Sequence, residues 1–156
     1  MKSVLMFVLA IIISFIPGAI GVMFTPHNQN DLWYNALNNS VLTPDGWVFG
    51  VAWPVLYLLL GIALFLIMSR NTTFSKAKSY WLFFIQMVLN AGWTFVFFGL
   101  QMPNTAMLIL CALVLVSVWM ARAFYSISKS ASILTWPYVL WLLFALYMNG
   151  FIVMMN

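Results

Sequence analysis

Residues 46–68 read "GWVFGVAWPVLYLLLGIALFLIM", a run without a single charged side chain. An α-helix needs about 20 consecutive apolar residues to cross the hydrocarbon core of a bilayer. This stretch meets that length, and the same pattern recurs on either side of it. Reading outward, we place spans at about Val4–Phe24, Gly46–Met68, Ser79–Gly99, Thr105–Tyr125 and Ile133–Met154. The connectors between them are "TPHNQNDLWYNALNNSVLTPD", "SRNTTFSKAK", "LQMPN" and "SISKSAS", which hold the polar residues and the breakers. Spanning β-barrels are built from short alternating segments, whereas these runs are long and continuous, so helices are the spanning element.

Composition agrees. The 156 residues are 65% hydrophobic and 5% charged, against roughly half apolar and a quarter charged in soluble domains. A soluble surface cannot be clothed from such a chain. The sequence predicts an all-α, polytopic membrane protein: one domain over residues 1–156, a five-transmembrane-helix bundle with a short helix in the first loop.

The first span begins as a signal peptide does, with Lys2 before an apolar run and small residues at Gly18, Ala19 and Gly21. The apolar stretch continues to Phe24, longer than a usual signal core, so we expect it to be kept as a span. With five spans, the N-terminus and the second and fourth loops share one side. That side carries Lys2, Arg70, Lys76, Lys78, Arg122 and Lys129, all six basic residues of the chain. The positive-inside rule then puts the N-terminus in the cytoplasm, and the first loop and C-terminus outside. We read the net charge of +4 as this topology signal. It forms no clustered basic face of the kind a nucleic acid needs. Cys111 is alone in an apolar run, which excludes a disulfide framework or a cysteine metal site.

The 21-residue first loop is longer than a simple connector. Trp33, Tyr34 and Leu37 fall at helical spacing there, with Asn30 or Asp31 as candidate caps. Spacing leaves two readings open: a short lid over the outer end of the bundle, or a segment lying in the lipid interface.

Tryptophan and tyrosine gather at membrane interfaces. Trp33, Tyr34, Trp47, Tyr80, Trp81 and Trp136 lie near span ends, where anchoring accounts for them. Trp53, Trp93 and Trp141 lie deeper and need another account. In the third span Gln86, Asn90, Trp93 and Phe97 share one helix face. Gly50, Trp53, Tyr57 and Gly61 form a similar line in the second, and Tyr138, Trp141, Ala145 and Asn149 in the last. An amide facing lipid leaves its polar atoms unsatisfied at a cost of several kcal/mol. Gln86, Asn90 and Asn149 therefore face other helices or a cavity. Each amide alone is better read as interhelical glue. Three of them beside deep tryptophans point to an aromatic-walled pocket for a flat hydrophobic ligand such as a tetrapyrrole.

Other chemistries fare poorly. No Asp, Glu, Lys or His lies deep within a span, as a proton pump or ion channel would usually require. The acids Asp31 and Asp45 and the single histidine His27 belong to the outer loop, where His27 reads as a solvated side chain. No nucleophile stands beside a base, no metal site is expected, and no cofactor is required. Pro54 is expected to bend the second span and free a backbone carbonyl beside the pocket.

Four segments, "WYNAL", "GWVFGVAWPVLY", "NAGWTFVFFG" and "PYVLWLLFALYMN", occur in this order over about 120 residues. In these segments the sequence resembles the translocator protein family, which includes TspO, the tryptophan-rich sensory proteins and the peripheral benzodiazepine receptors; it looks like a bacterial member. The resemblance implies a homodimeric five-helix bundle that binds porphyrins such as protoporphyrin IX under the first loop. Benzodiazepine and isoquinoline-carboxamide ligands bind there in relatives. By motif position, it implies pocket walls from Trp53, Asn90, Trp93, Trp141 and Ala145, with Trp33, Tyr34 and Trp47 closing the lid. Some bacterial relatives promote light-dependent porphyrin breakdown, which on this pattern would use Trp33 and Trp141 as the catalytic tryptophans.

The sequence also departs from the pattern. Asn39-Ser40 stands where the family usually has Lys-Pro, Leu42 where it has tryptophan, and Pro44-Asp45 where it has Pro-Pro. Animal members carry a cholesterol-recognition element near the C-terminus that ends in a basic residue. Here no tyrosine follows Asn149 and no Lys or Arg follows Lys129, which argues against cholesterol binding. Three functions are thus carried forward: a porphyrin-binding protein for transport, sensing or disposal; a light-dependent porphyrin-degrading enzyme; and a structural or partner-binding membrane protein.

Overall fold

A computed structural model describes residues 2–25, 32–73 and 75–156. His27, Asn30 and Asp31, singled out above, lie outside the described residues. The chain forms α1 (Lys2–Val22), α2 (Leu32–Ala36), α3 (Gly46–Ser69), α4 (Ala77–Thr94), a π turn (Phe95–Gly99), α5 (Pro103–Tyr125) and α6 (Lys129–Met155). Five of these, with α4 and its π turn counted together, are long and apolar enough to cross a membrane. Their bounds fall within four residues of the expected spans, the largest difference being the start of α6 at Lys129. The protein is a multi-pass membrane protein.

Helix starts follow from local chemistry. Pro103 opens α5, at a position where the missing N–H is no loss. The Ser128 hydroxyl caps α6 by accepting from the Ala131 N–H at 3.4 Å. The tight link between α4 and α5 turns at Gln101, whose φ of 55° is in the left-handed region. Pro17, Pro54 and Pro137 sit inside helices, as membrane-spanning helices tolerate more readily than soluble ones.

Packing closes a ring in the order α1, α3, α6, α5, α4 and back to α1. Glycine lets α1 and α3 approach closely. A Cβ on Gly61 would lie 2.7 Å from the Ser14 hydroxyl and 3.1 Å from the Ile11 backbone. Gly18 presses in the same way on the Tyr57 ring. The small residues of α1 thus serve packing within the chain. The core runs through α3, α5 and α6, and α1 is the least enclosed of the five spans.

The loop helix α2 folds inward. Trp33, Tyr34 and Leu37 pack against a cluster formed by Phe97, Ala106 and Ile152. This is the lid arrangement of the two that spacing left open. Beyond α2 the loop is tied to the end of α6. The Asn38 N–H donates to Asn156 Oδ1 at 2.9 Å, and the Asn38 side chain donates to the Met155 carbonyl at 3.2 Å. The Ser40 and Tyr147 hydroxyls meet at 2.8 Å.

Candidate ligand-binding site

The stripes read from the sequence converge under the loop helix. Trp53 on α3 contacts Trp141 on α6 edge-to-face at 6.3 Å and Trp93 on α4 at 6.4 Å between ring centres. Tyr57 stacks one turn below Trp53, at 5.6 Å. Trp93 stacks on Phe97 at 5.6 Å, and Phe97 meets Trp33 of the loop helix at 5.7 Å. Trp33, Phe97, Trp93, Trp53 and Trp141 therefore form one continuous path of rings from the lid into the bundle. Tyr34 joins it through Phe98, at 5.6 Å.

The π turn has a part in this. A single wide turn shifts the register of the helix end, and here both Phe97 and Phe98 reach the loop helix.

Below the rings lies a polar floor. The Tyr57 hydroxyl donates to Asn90 Oδ1, the Asn90 amide donates to the Tyr138 hydroxyl, and Tyr138 donates to Gln86 Oε1, each at 2.9 Å. All four side chains are buried. One chain of bonds thus links α3, α4 and α6, and satisfies amides that lipid could not. Asn149 works separately. It accepts from the Trp93 indole at 3.2 Å and donates to the Pro103 carbonyl at 2.9 Å, tying α6 to α4 and to the start of α5.

One donor is left over. Trp141 Nε1 is buried with no hydrogen-bond partner among the described residues, although Trp93 has one. Leaving a buried N–H unmade costs about 1–3 kcal/mol. Ala145, one helical turn from Trp141, is buried in the same cluster and presents only a methyl group.

The other expected residues distribute plainly. Trp47 is 70% exposed on the first turn of α3 and is not one of the joined rings. Gly50 is also exposed, so the α3 stripe begins at Trp53. Trp81 and Trp136 are exposed near helix ends, as anchors are. Three aromatic neighbours escaped the sequence reading: Phe49 and Phe144, each against Trp141, and Phe98. Phe49 and Phe144 stand four and three residues from stripe tryptophans, so extending each stripe by one turn finds them. Among the described residues no cluster of His, Cys, Asp or Glu could hold a metal ion. Tyr34 lies outside the spans, and burial pushes its phenol above the ordinary value, so it stays protonated near neutral pH.

The arrangement is a set of touching aromatic rings with one free N–H among them, that of Trp141. Comparison with known proteins finds related chains. The model of the TspO/MBR family matches residues 7–155. The chain is 36% identical over 139 residues to the tryptophan-rich protein TspO of Archaeoglobus fulgidus, covering 89% of each chain. It is 32% identical over 156 residues to the protein of the same name from Chlorobaculum tepidum, covering 99% of this chain and 98% of that one. The translocator protein of Bos taurus is 28% identical over 134 residues, 85% of this chain and 79% of its own.

Proposed function

This chain belongs to the TspO/MBR family, and on that premise we propose that its aromatic core binds a porphyrin for transport, sensing or disposal. Drug-like ligands of the benzodiazepine and isoquinoline-carboxamide type would enter the same site. The observation that carries this reading is the unpartnered Trp141 N–H, buried beside Trp53 within a path of stacked rings. An aromatic macrocycle matches the rings in shape and apolarity. A polar group on its edge, reaching Trp141 Nε1, recovers the cost of the unmade bond. Trp53, Trp93, Trp141 and Ala145 supply the walls, and Trp33 and Tyr34 the cover. Gln86, Asn90, Tyr57 and Tyr138 hold the three helices at the spacing the walls need.

Because the rings now touch one another, a ligand must part them. The loop helix is the element to move, since ring contacts and a few bonds at Asn38 and Ser40 hold it. We place the first loop and the C-terminus outside and the N-terminus in the cytoplasm, from the one-sided distribution of basic residues. Family resemblance supports a homodimer.

Light-dependent porphyrin degradation is the second reading. What favours it is the ring path itself, which joins Trp33 to Trp141, the two tryptophans that chemistry would use. Absorbance spectra of the purified protein with added protoporphyrin IX, in darkness and in light, test both. Binding predicts a shifted porphyrin band in darkness. Catalysis predicts, in addition, a bilin-like band under light that is lost in Trp33→Phe or Trp141→Phe. A spectrum identical to free porphyrin in both conditions refutes both readings.

A further inference from the structure

Among the described residues, two buried side-chain atoms lack a hydrogen-bond partner, Trp141 Nε1 and Asn39 Oδ1. The first is the donor beside Trp53. The second is an acceptor in the first loop. Its identity is fixed by the other end of the same amide. Asn39 Nδ2 donates to the Leu37 carbonyl at 3.2 Å, so turning the amide over would set oxygen against oxygen. Oδ1 is the end left over, and it can only accept.

Asn39 is joined to the ring path through its neighbours. The hydroxyl of Ser40, the next residue, meets that of Tyr147 at 2.8 Å. The Tyr147 ring stacks on Phe144 at 6.4 Å, and Phe144 stands against Trp141 at 5.8 Å. On its other side Asn38 is bonded to Met155 and Asn156 at the end of α6. Leu37, which holds the amide, packs in the cluster beneath the lid. The two unpaired atoms thus mark the two ends of one ladder, Trp141 within the bundle and Asn39 at the lid. One end gives a hydrogen bond and the other takes one.

Charge narrows what can meet Asn39. No Lys or Arg occurs between Lys2 and Arg70, and both acids of the chain, Asp31 and Asp45, fall in that interval. A carboxylate brought to the loop meets an acceptor, and no cation of the loop offsets its loss of water. An uncharged donor fits instead. We propose that Asn39 is a second polar anchor of the ligand site, selecting ligands whose outer edge carries an uncharged hydrogen-bond donor, such as an amide or hydroxyl, over a carboxylate. The inference rests on the porphyrin reading above and narrows it. The macrocycle accepts from Trp141 Nε1 at one edge and donates to Asn39 Oδ1 at another.

The test is fluorescence-quenching titration of the full chain in detergent with three porphyrins of one skeleton: protoporphyrin IX, its dimethyl ester and its diamide. The free acid presents carboxylates, the ester is uncharged without a side-chain donor, and the diamide is uncharged and donates. We expect the diamide to bind about fivefold or more tightly than either of the others, the scale of one hydrogen bond. Asn39→Leu should abolish its advantage over the ester. Asn39→Lys, which sets a cation at the same place, should turn the preference toward the free acid. Equal affinity for diamide and ester in the wild-type chain overturns the proposal whatever the variants do. An advantage that survives Asn39→Leu overturns it as well. Failure of all three porphyrins to bind refutes the porphyrin reading and this proposal together, whereas equal binding of all three refutes this proposal alone.

Discussion

Asn90 carries two jobs that its position in the sequence announced only in part. Its spacing from Gln86 and Trp93 put it on an inward face, because an amide cannot face lipid. Spacing could not say that both ends of the amide would be taken, Oδ1 by Tyr57 and Nδ2 by Tyr138. Partners from other helices depend on which helices meet, and a single stripe does not contain that. Replacing Asn90 by Leu leaves the Tyr57 hydroxyl without its acceptor and Tyr138 with only its bond to Gln86, and we expect a loss of about 1–3 kcal/mol of stability. Thermal unfolding in detergent measures it, and an unchanged midpoint would show that the floor of the site contributes nothing. The free N–H of Trp141 was equally hidden. Trp93 and Trp141 look alike in sequence, yet only Trp93 finds an acceptor, in Asn149.

Elements were the most legible level, since a run of apolar residues is a direct statement of bilayer thickness. The π turn was not, because no residue type marks the wider hydrogen bonding of Phe95–Gly99. Nor could spacing choose between lid and interface for α2; the packing of Trp33 and Leu37 on Phe97 and its neighbours made the choice. Two glycines test the contact between α1 and its neighbours. Gly61→Ala must displace Ser14 or Ile11 and should destabilise the protein by about 1–3 kcal/mol. Gly92→Ala meets nothing within 4 Å and should be neutral or stabilising by up to about 1 kcal/mol. Equal unfolding midpoints for the two variants would contradict this packing. The loop attachment has its own prediction. Asn38→Ala removes the side-chain bond to the Met155 carbonyl, and should speed porphyrin dissociation several-fold in stopped-flow fluorescence while leaving the unfolding midpoint nearly unchanged.

At the scale of the whole molecule, the number of spans was readable and their arrangement was not. The order α1, α3, α6, α5, α4 around the ring is set by which faces fit, and no single helix reports it. It is this order that brings Trp53, Trp93 and Trp141 together from three separate stretches of chain. The proposed orientation rests on charge alone and can be checked directly. In a Cys111→Ala background, a membrane-impermeant maleimide should label Leu42→Cys on intact cells, and Ser126→Cys only after permeabilisation. The reverse pattern would invert the topology. The central claim is that the rings of α3, α4 and α6 form a porphyrin site, and fluorescence-quenching titration with protoporphyrin IX tests it most directly. The account predicts saturable binding at one porphyrin per chain, weakened about tenfold or more in Trp141→Phe and Asn90→Ala, a loss on the scale of one buried hydrogen bond. Undiminished affinity in both variants would contradict it.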